Sequence, residues 1–239
     1  MATTVSVSDT SAQANETTPG EQMLVLHGIG WDQYETVLKA FPEQGGLHIT
    51  YLDGRLTFVS PTRRHDWYED SLGMVVKAVA SGLGIEWEPS GHATYRRGDL
   101  DAGVEGDQTF YFGDNAATMR GPVNVDLASQ PPPDIAIEVE VTHRSDDSVE
   151  VWRRLRVPEV WRLDVRRGTL VFMALQSDGC YMPIESSRAL PALEPGDVLA
   201  QLQLAQQIGS SRWVAQLAEW VRDTILPRRG GQLPRKAET

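Results

Sequence analysis

The chain has 239 residues, 41% of them hydrophobic, and a formal net charge of −11, with a pI near 4.9 and a mean hydropathy of −0.32. That is enough apolar material for one domain with a real core. The acidic balance excludes a general attraction for nucleic acid, which would need a local basic patch or a bound metal.

Residues 1–22 are rich in Ser, Thr, Ala and Gln and read as a disordered lead-in, with no basic segment followed by an apolar run. The domain is expected over residues 23–227, and residues 228–239 read as a polar tail. No stretch has the length and apolarity of a membrane span. The single cysteine, Cys180, excludes an intramolecular disulfide and a multi-cysteine zinc centre, and points to a reducing, cytoplasmic setting.

Trp31 to Phe41 carries Tyr34, Val37, Leu38 and Phe41 at helical spacing. HITYLDGRLTFVS, residues 48–60, is a hairpin around Asp53-Gly54. Asp66 to Gly82 is a helix whose apolar stripe is Leu72, Val75, Val76, Val79 and Leu83. Glu69 lies on the edge of that stripe, with His65 one turn earlier. A strand pair is expected over Ile85–Glu88 and His92–Arg97, then a loop to residue 107, a strand over Gln108–Phe112 and a polar loop over 113–130.

Residues 131–142, PPPDIAIEVEVT, alternate strictly. Asp134, Ala136, Glu138 and Glu140 fall on one strand face; Ile135, Ile137, Val139 and Val141 fall on the other. Carboxylates in such a row either face bulk water or hold a cation, since like charges on one face repel. A short helix over Asp147–Arg156 follows, then strands EVWRLDV and TLVFMAL joined by Arg166-Arg167-Gly168. Residues 177–200 read as mostly loop with an edge strand near Tyr181, and SSRWVAQLAEWVRDTIL as an amphipathic helix whose Trp213, Leu217, Trp220 and Ile225 are core residues. The order predicts an α/β (mixed α+β) domain with a mixed sheet.

Three acids stand out as hard oxygen donors for Mg²⁺ or Mn²⁺: Glu69 on a helix, Asp107 at the head of a strand and Glu138 within one. His27, His48 and His92 have no carboxylate or serine nearby in sequence to suggest a catalytic triad. His65 reads as a helix-start residue.

The ordered set LDGRLTFVSPTRRHDWYED, GVEGDQTFYF, PPPDIAIEVEVTHRS and VPEVWRLD resembles the Uma-two family of endonucleases, a branch of the PD-(D/E)XK restriction-endonuclease-like superfamily. The match spans roughly residues 30–225. The resemblance implies a restriction-endonuclease-like mixed sheet flanked by helices, and Mg²⁺- or Mn²⁺-dependent hydrolysis of DNA phosphodiesters. By position it makes Asp107 and Glu138 the metal ligands, with Glu69 and Glu140 as supporting catalytic acids. Two positions depart from the family pattern. Gly106 stands where a proline is usual, and Glu140 stands at the motif's lysine place. The helix position that would supply a substitute lysine is about Ser148, and no lysine occurs between Lys77 and Lys236. Arg144, Arg153 or Arg154 would then supply charge, or the chain is a non-catalytic scaffold on the same fold. DNA would meet Arg63, Arg64, Arg96, Arg97, Arg153 and Arg154, and a homodimer would use the tryptophan-rich C-terminal helix.

Overall fold

The computed structural model describes residues 5–6, 20–41, 46–121 and 125–229. The expectations for the lead-in and the tail fall mostly outside this range. In chain order the strands are β1 (Val5–Ser6), β2 (Gln22–His27), β3 (His48–Leu52), β4 (Arg55–Ser60), β5 (Trp87–Pro89), β6 (Thr94–Arg97), β7 (Ala102–Glu105), β8 (Gln108–Phe112), β9 (Ile135–Glu140), β10 (Glu159–Asp164), β11 (Thr169–Leu175) and β12 (Tyr181–Ile184). The helices are α1 (Trp31–Ala40), α2 (Arg63–Leu83), α3 (Gly113–Thr118), α4 (Asp146–Arg154), α5 (Pro195–Ile208), α6 (Ser210–Trp220) and α7 (Leu226–Arg228), a π-helical turn over Val221–Ile225 joining the last two.

The mixed α+β class is as expected, but the strands divide into two six-stranded sheets. One is antiparallel, in the order β1-β2-β4-β3-β7-β6; the other runs β12-β11-β10-β9-β8-β5, with β9 and β10 parallel. Local chemistry explains the firmest elements. Asp53 (φ 46°) and Gly54 (φ 80°) are both left-handed, as a two-residue hairpin turn with the right strand twist requires. Thr62 caps α2 by accepting from the His65 amide, and left-handed Gly84 closes the other end.

Period-2 alternation makes β9 a partition between two cores. Ile135, Ile137 and Val139 pack with the stripe of α2 and with Trp161, Phe172 and Trp213. Ala136 faces a second core where Tyr95, Ala102 and Val104 of the first sheet meet Trp152 and Val160. Glu138 and Glu140 share the Ala136 face, so they point between the sheets and are buried, not solvated. The C-terminal helix also packs within the chain: Trp213 is fully buried and donates to Gln201.

Several local expectations change. The loop before residue 107 contains β7, and the loop over 113–130 opens with α3. Residues 177–200 contain the start of α5, which the proline-glycine pair at 195–196 hid. β5 and β6 do not pair with each other: β5 joins β8 and β6 joins β7, in different sheets. Among the described residues, no helix is long and apolar enough to cross a membrane.

Candidate metal and hydrolytic centre

The chain crosses from one sheet to the other between β7 and β8, and Gly106 and Asp107 make the crossing. Asp107 is 4% exposed and receives donors from three directions. The Val139 amide on β9 donates to Oδ2 at 2.6 Å. His48 Nδ1, on β3 of the other sheet, lies 2.8 Å from Oδ1, and His65 Nε2, in the first turn of α2, lies 3.2 Å from Oδ2. The histidines that lacked carboxylate company in sequence therefore gain it in space. His92 Nε2 lies 3.3 Å from Glu69. His65, read as a helix-start residue, is 4% exposed and part of the cluster. The His65–Glu69 spacing was the one sequence signal for it; nothing local marks His48 or His92.

Glu138 accepts from Trp152 Nε1 of α4 at 2.6 Å. Trp152 also explains Gly106. A Cβ at 106 would lie 2.6 Å from Trp152 Cζ2 and 3.3 Å from Thr109 Cγ2. Gly106 does not adopt a left-handed φ. Space, not backbone conformation, demands glycine where the family pattern has proline.

Glu140, at the place where the resemblance puts a lysine, accepts all its donors on Oε1: the Ser145 amide and hydroxyl at 2.8 Å each, and Nε of Arg162 at 2.9 Å together with its Nη2. Arg162 belongs to β10, opposite Glu138 in the parallel register, and also reaches Asp146 at 2.8 Å. It was not foreseen, because only strand pairing brings it beside the acids. Ser148 bears no charge and shares a hydrogen bond with Thr50 at 3.3 Å.

Asp107, Glu138, His48, His65, Arg144 and Ser148 are among the residues that line a small, solvent-open cleft. Glu69 does not line it. Its Oε1 accepts from Gln108 Nε2 at 2.8 Å and faces His92, behind the two histidines that hold Asp107.

The acids divide electrostatically. Burial alone would raise Asp107, but hydrogen bonds from His48 and His65 more than reverse this and hold it well below the usual carboxylate range. Burial first, and then the Asp107 charge, push Glu138 well above its ordinary value. The same two causes push Glu69 up to about 7. Burial works to lower His65, yet its hydrogen bond to Asp107 and that residue's charge prevail and raise it to about 9. His48 is raised by the same contest. His92 is lowered, by burial and then by the charge of His48.

Of the arginines expected to meet DNA, four are engaged by carboxylates: Arg96 with Glu35, Arg97 with Asp99, Arg153 with Glu150, and Arg154 with Asp53 and Glu150. Arg63 and Arg64, at the head of α2, are exposed and have no carboxylate within 4.0 Å among the described residues.

A family model described as "Uma2: Putative restriction endonuclease" matches residues 31–207, more than half of the chain. Among solved structures, one titled as the crystal structure of a "putative nuclease belonging to DUF820" from Anabaena variabilis is similar. It shares 14% identity, the alignment covers 73% of this chain and 99% of that one, and the TM-score is 0.49. No curated protein matches the chain.

Proposed function

The chain belongs to the Uma2 family, and from that membership and the cleft we propose that it is a divalent-metal-dependent endonuclease that hydrolyses DNA phosphodiesters. The observation that carries the reading is the pairing of Asp107 and Glu138, two carboxylates at most 5% exposed on one solvent-open cleft, with Glu138 pushed up by burial and by its neighbour's charge. His48 and His65 offset the Asp107 charge, whereas ionising Glu138 beside it in this buried place is costly. A hard ion with a preference for oxygen donors relieves that cost, so the pair fits Mg²⁺ or Mn²⁺.

Asp107 and Glu138 would hold the ion, which when bound supplies Lewis acidity and a water of lowered pKa. The other residues prepare the site. His48, His65 and the Val139 amide fix the Asp107 carboxylate, and Trp152 fixes Glu138. Glu140, clasped by Ser145 and Arg162, acts as a positioning residue for the turn that leads into α4. Arg144, on the cleft wall and paired with Asp146 at 2.9 Å, would have to exchange that carboxylate for an incoming phosphate to supply charge in place of the missing lysine.

The test is supercoiled plasmid with Mg²⁺ or Mn²⁺. Nicking is expected with either ion and is lost on adding chelator. Nicking that persists unchanged in Asp107→Ala and Glu138→Ala would overturn the assignment. The ion-paired acid at the lysine place favours the second reading, a non-catalytic scaffold, and metal binding without any nicking would establish it.

The DNA contact proposed here falls to Arg63 and Arg64, the two residues before the cleft residue His65. Each phosphate contact contributes about 0.9 to the slope of log affinity against log salt. The Arg63→Ala/Arg64→Ala variant is therefore expected to lower that slope by up to about 2, measured by fluorescence anisotropy. Arg154→Ala is expected to leave the slope unchanged, because its guanidinium is committed to Asp53 and Glu150.

A further inference from the structure

At the edge of the cleft, one ligand atom each from His48, Glu69 and His92 lies within 4.8 Å of the other two. The three come from separate elements: β3, α2 and the turn between β5 and β6. Two of the three are already oriented as metal ligands are. Asp107 holds Nδ1 of His48 at 2.8 Å. A carboxylate that takes one ring N–H fixes the tautomer and leaves the other nitrogen, here Nε2, as a lone-pair donor. Gln108 Nε2 donates to Glu69 Oε1 at 2.8 Å and fixes that carboxylate.

A neighbouring ring nitrogen beside Glu69 is also left without a hydrogen-bond partner. Nδ1 of His65 is buried with no hydrogen-bond partner, in a residue 4% exposed, and lies 4.0 Å from Oε2 of Glu69. His92 is more than half exposed, so one side of the group is open to water.

We propose that His48, Glu69 and His92 form a second cation site, distinct from the acid pair, that takes a borderline transition ion of the Zn²⁺ or Co²⁺ class. Two imidazoles and one carboxylate suit such ions, whereas Mg²⁺ prefers an all-oxygen shell. By joining β3, α2 and the β5–β6 turn, the bound transition ion ties both sheets to the long helix. This site does not depend on the acid pair being hydrolytic.

The probe is Co²⁺, titrated into the metal-free full-length protein and followed by its visible absorption. One equivalent is expected to bind with the bands of nitrogen-ligated Co²⁺. Glu138→Gln is expected to keep them. His92→Ala removes an exposed ring that packs in no core, and is expected to weaken binding by more than the 10–100-fold typical of losing an outer-shell partner. Glu69→Gln is expected to weaken it likewise. The proposal is overturned if the wild-type protein gives no such bands, if His92→Ala titrates like the wild type, or if Glu138→Gln abolishes binding while His92→Ala retains it.

Discussion

Glu138→Gln is expected to lower metal-dependent nicking by about 10³-fold or more while making the metal-free protein more stable. The loss follows from the proposed function, in which Glu138 is one of two carboxylates that hold an ion whose charge stabilisation is worth several kcal/mol, at about 1.4 kcal/mol per tenfold in rate. The gain follows from the electrostatics of the acid pair itself. Burial and the Asp107 charge hold the Glu138 pKa well above its ordinary value in the folded protein. Between the ordinary and the raised value the folded chain binds more protons than the unfolded one. Stability therefore falls as pH rises through that window. Glutamine has no charge to lose and keeps an oxygen for Trp152 Nε1. The expected increase is about 0.5–2 kcal/mol, typical of relieving a site tuned for function, and a rise of a few degrees in melting temperature with chelator present. The difference from wild type should grow with pH across the window. A variant less stable than wild type at every pH would contradict this account of the pair.

Gly106→Ala is expected to cost about 1–3 kcal/mol, the range for forcing an extra methyl into a packed interior. The methyl would meet the Trp152 ring, which is rigidly enclosed and fully buried. Displacing the indole also loosens its bond to Glu138, so activity should fall along with stability. Trp152→Phe removes the atoms nearest the new methyl but leaves a Glu138 oxygen without its donor, at a cost of about 1–3 kcal/mol. In that background Gly106→Ala is expected to cost less than about 0.5 kcal/mol. The double-mutant cycle, read from urea melts, should therefore show a coupling of at least about 1 kcal/mol. Additivity would mean that Trp152 is not what excludes a side chain at 106.

The alternation in residues 134–141 made β9 readable, and the apolar stripe of residues 72–83 did the same for α2. Both patterns are local, and both record burial directly. The acids Asp107 and Glu138 were singled out because one heads and the other lies within a strand with a strong apolar face. What surrounds them could not be read, because it depends on which strand lies beside which. His48 reaches Asp107 from the other sheet. Arg162 reaches Glu140 through a parallel pairing with no nearby sequence signature. The division into two sheets was hidden for the same reason: β5 and β6 are near neighbours in sequence and part company in space. Gly106 was visible as a departure from the family pattern, but its cause lies in a tryptophan 46 positions later, buried against it.

The clasp between Glu140 and Arg162 closes one route by which this chain could change. A single substitution to lysine at 140 would leave Arg162 facing a second cation where it now has a carboxylate at 2.9 Å. Replacing Arg162 first would strand the Glu140 carboxylate, 8% exposed, without its counter-ion; breaking a buried pair from one side costs about 3–5 kcal/mol. Either first step leads downhill in stability, so a lysine at 140 is hard to reach one mutation at a time. Any gain of positive charge in the cleft is more readily reached through the solvent-facing wall than through the strand that carries the acids.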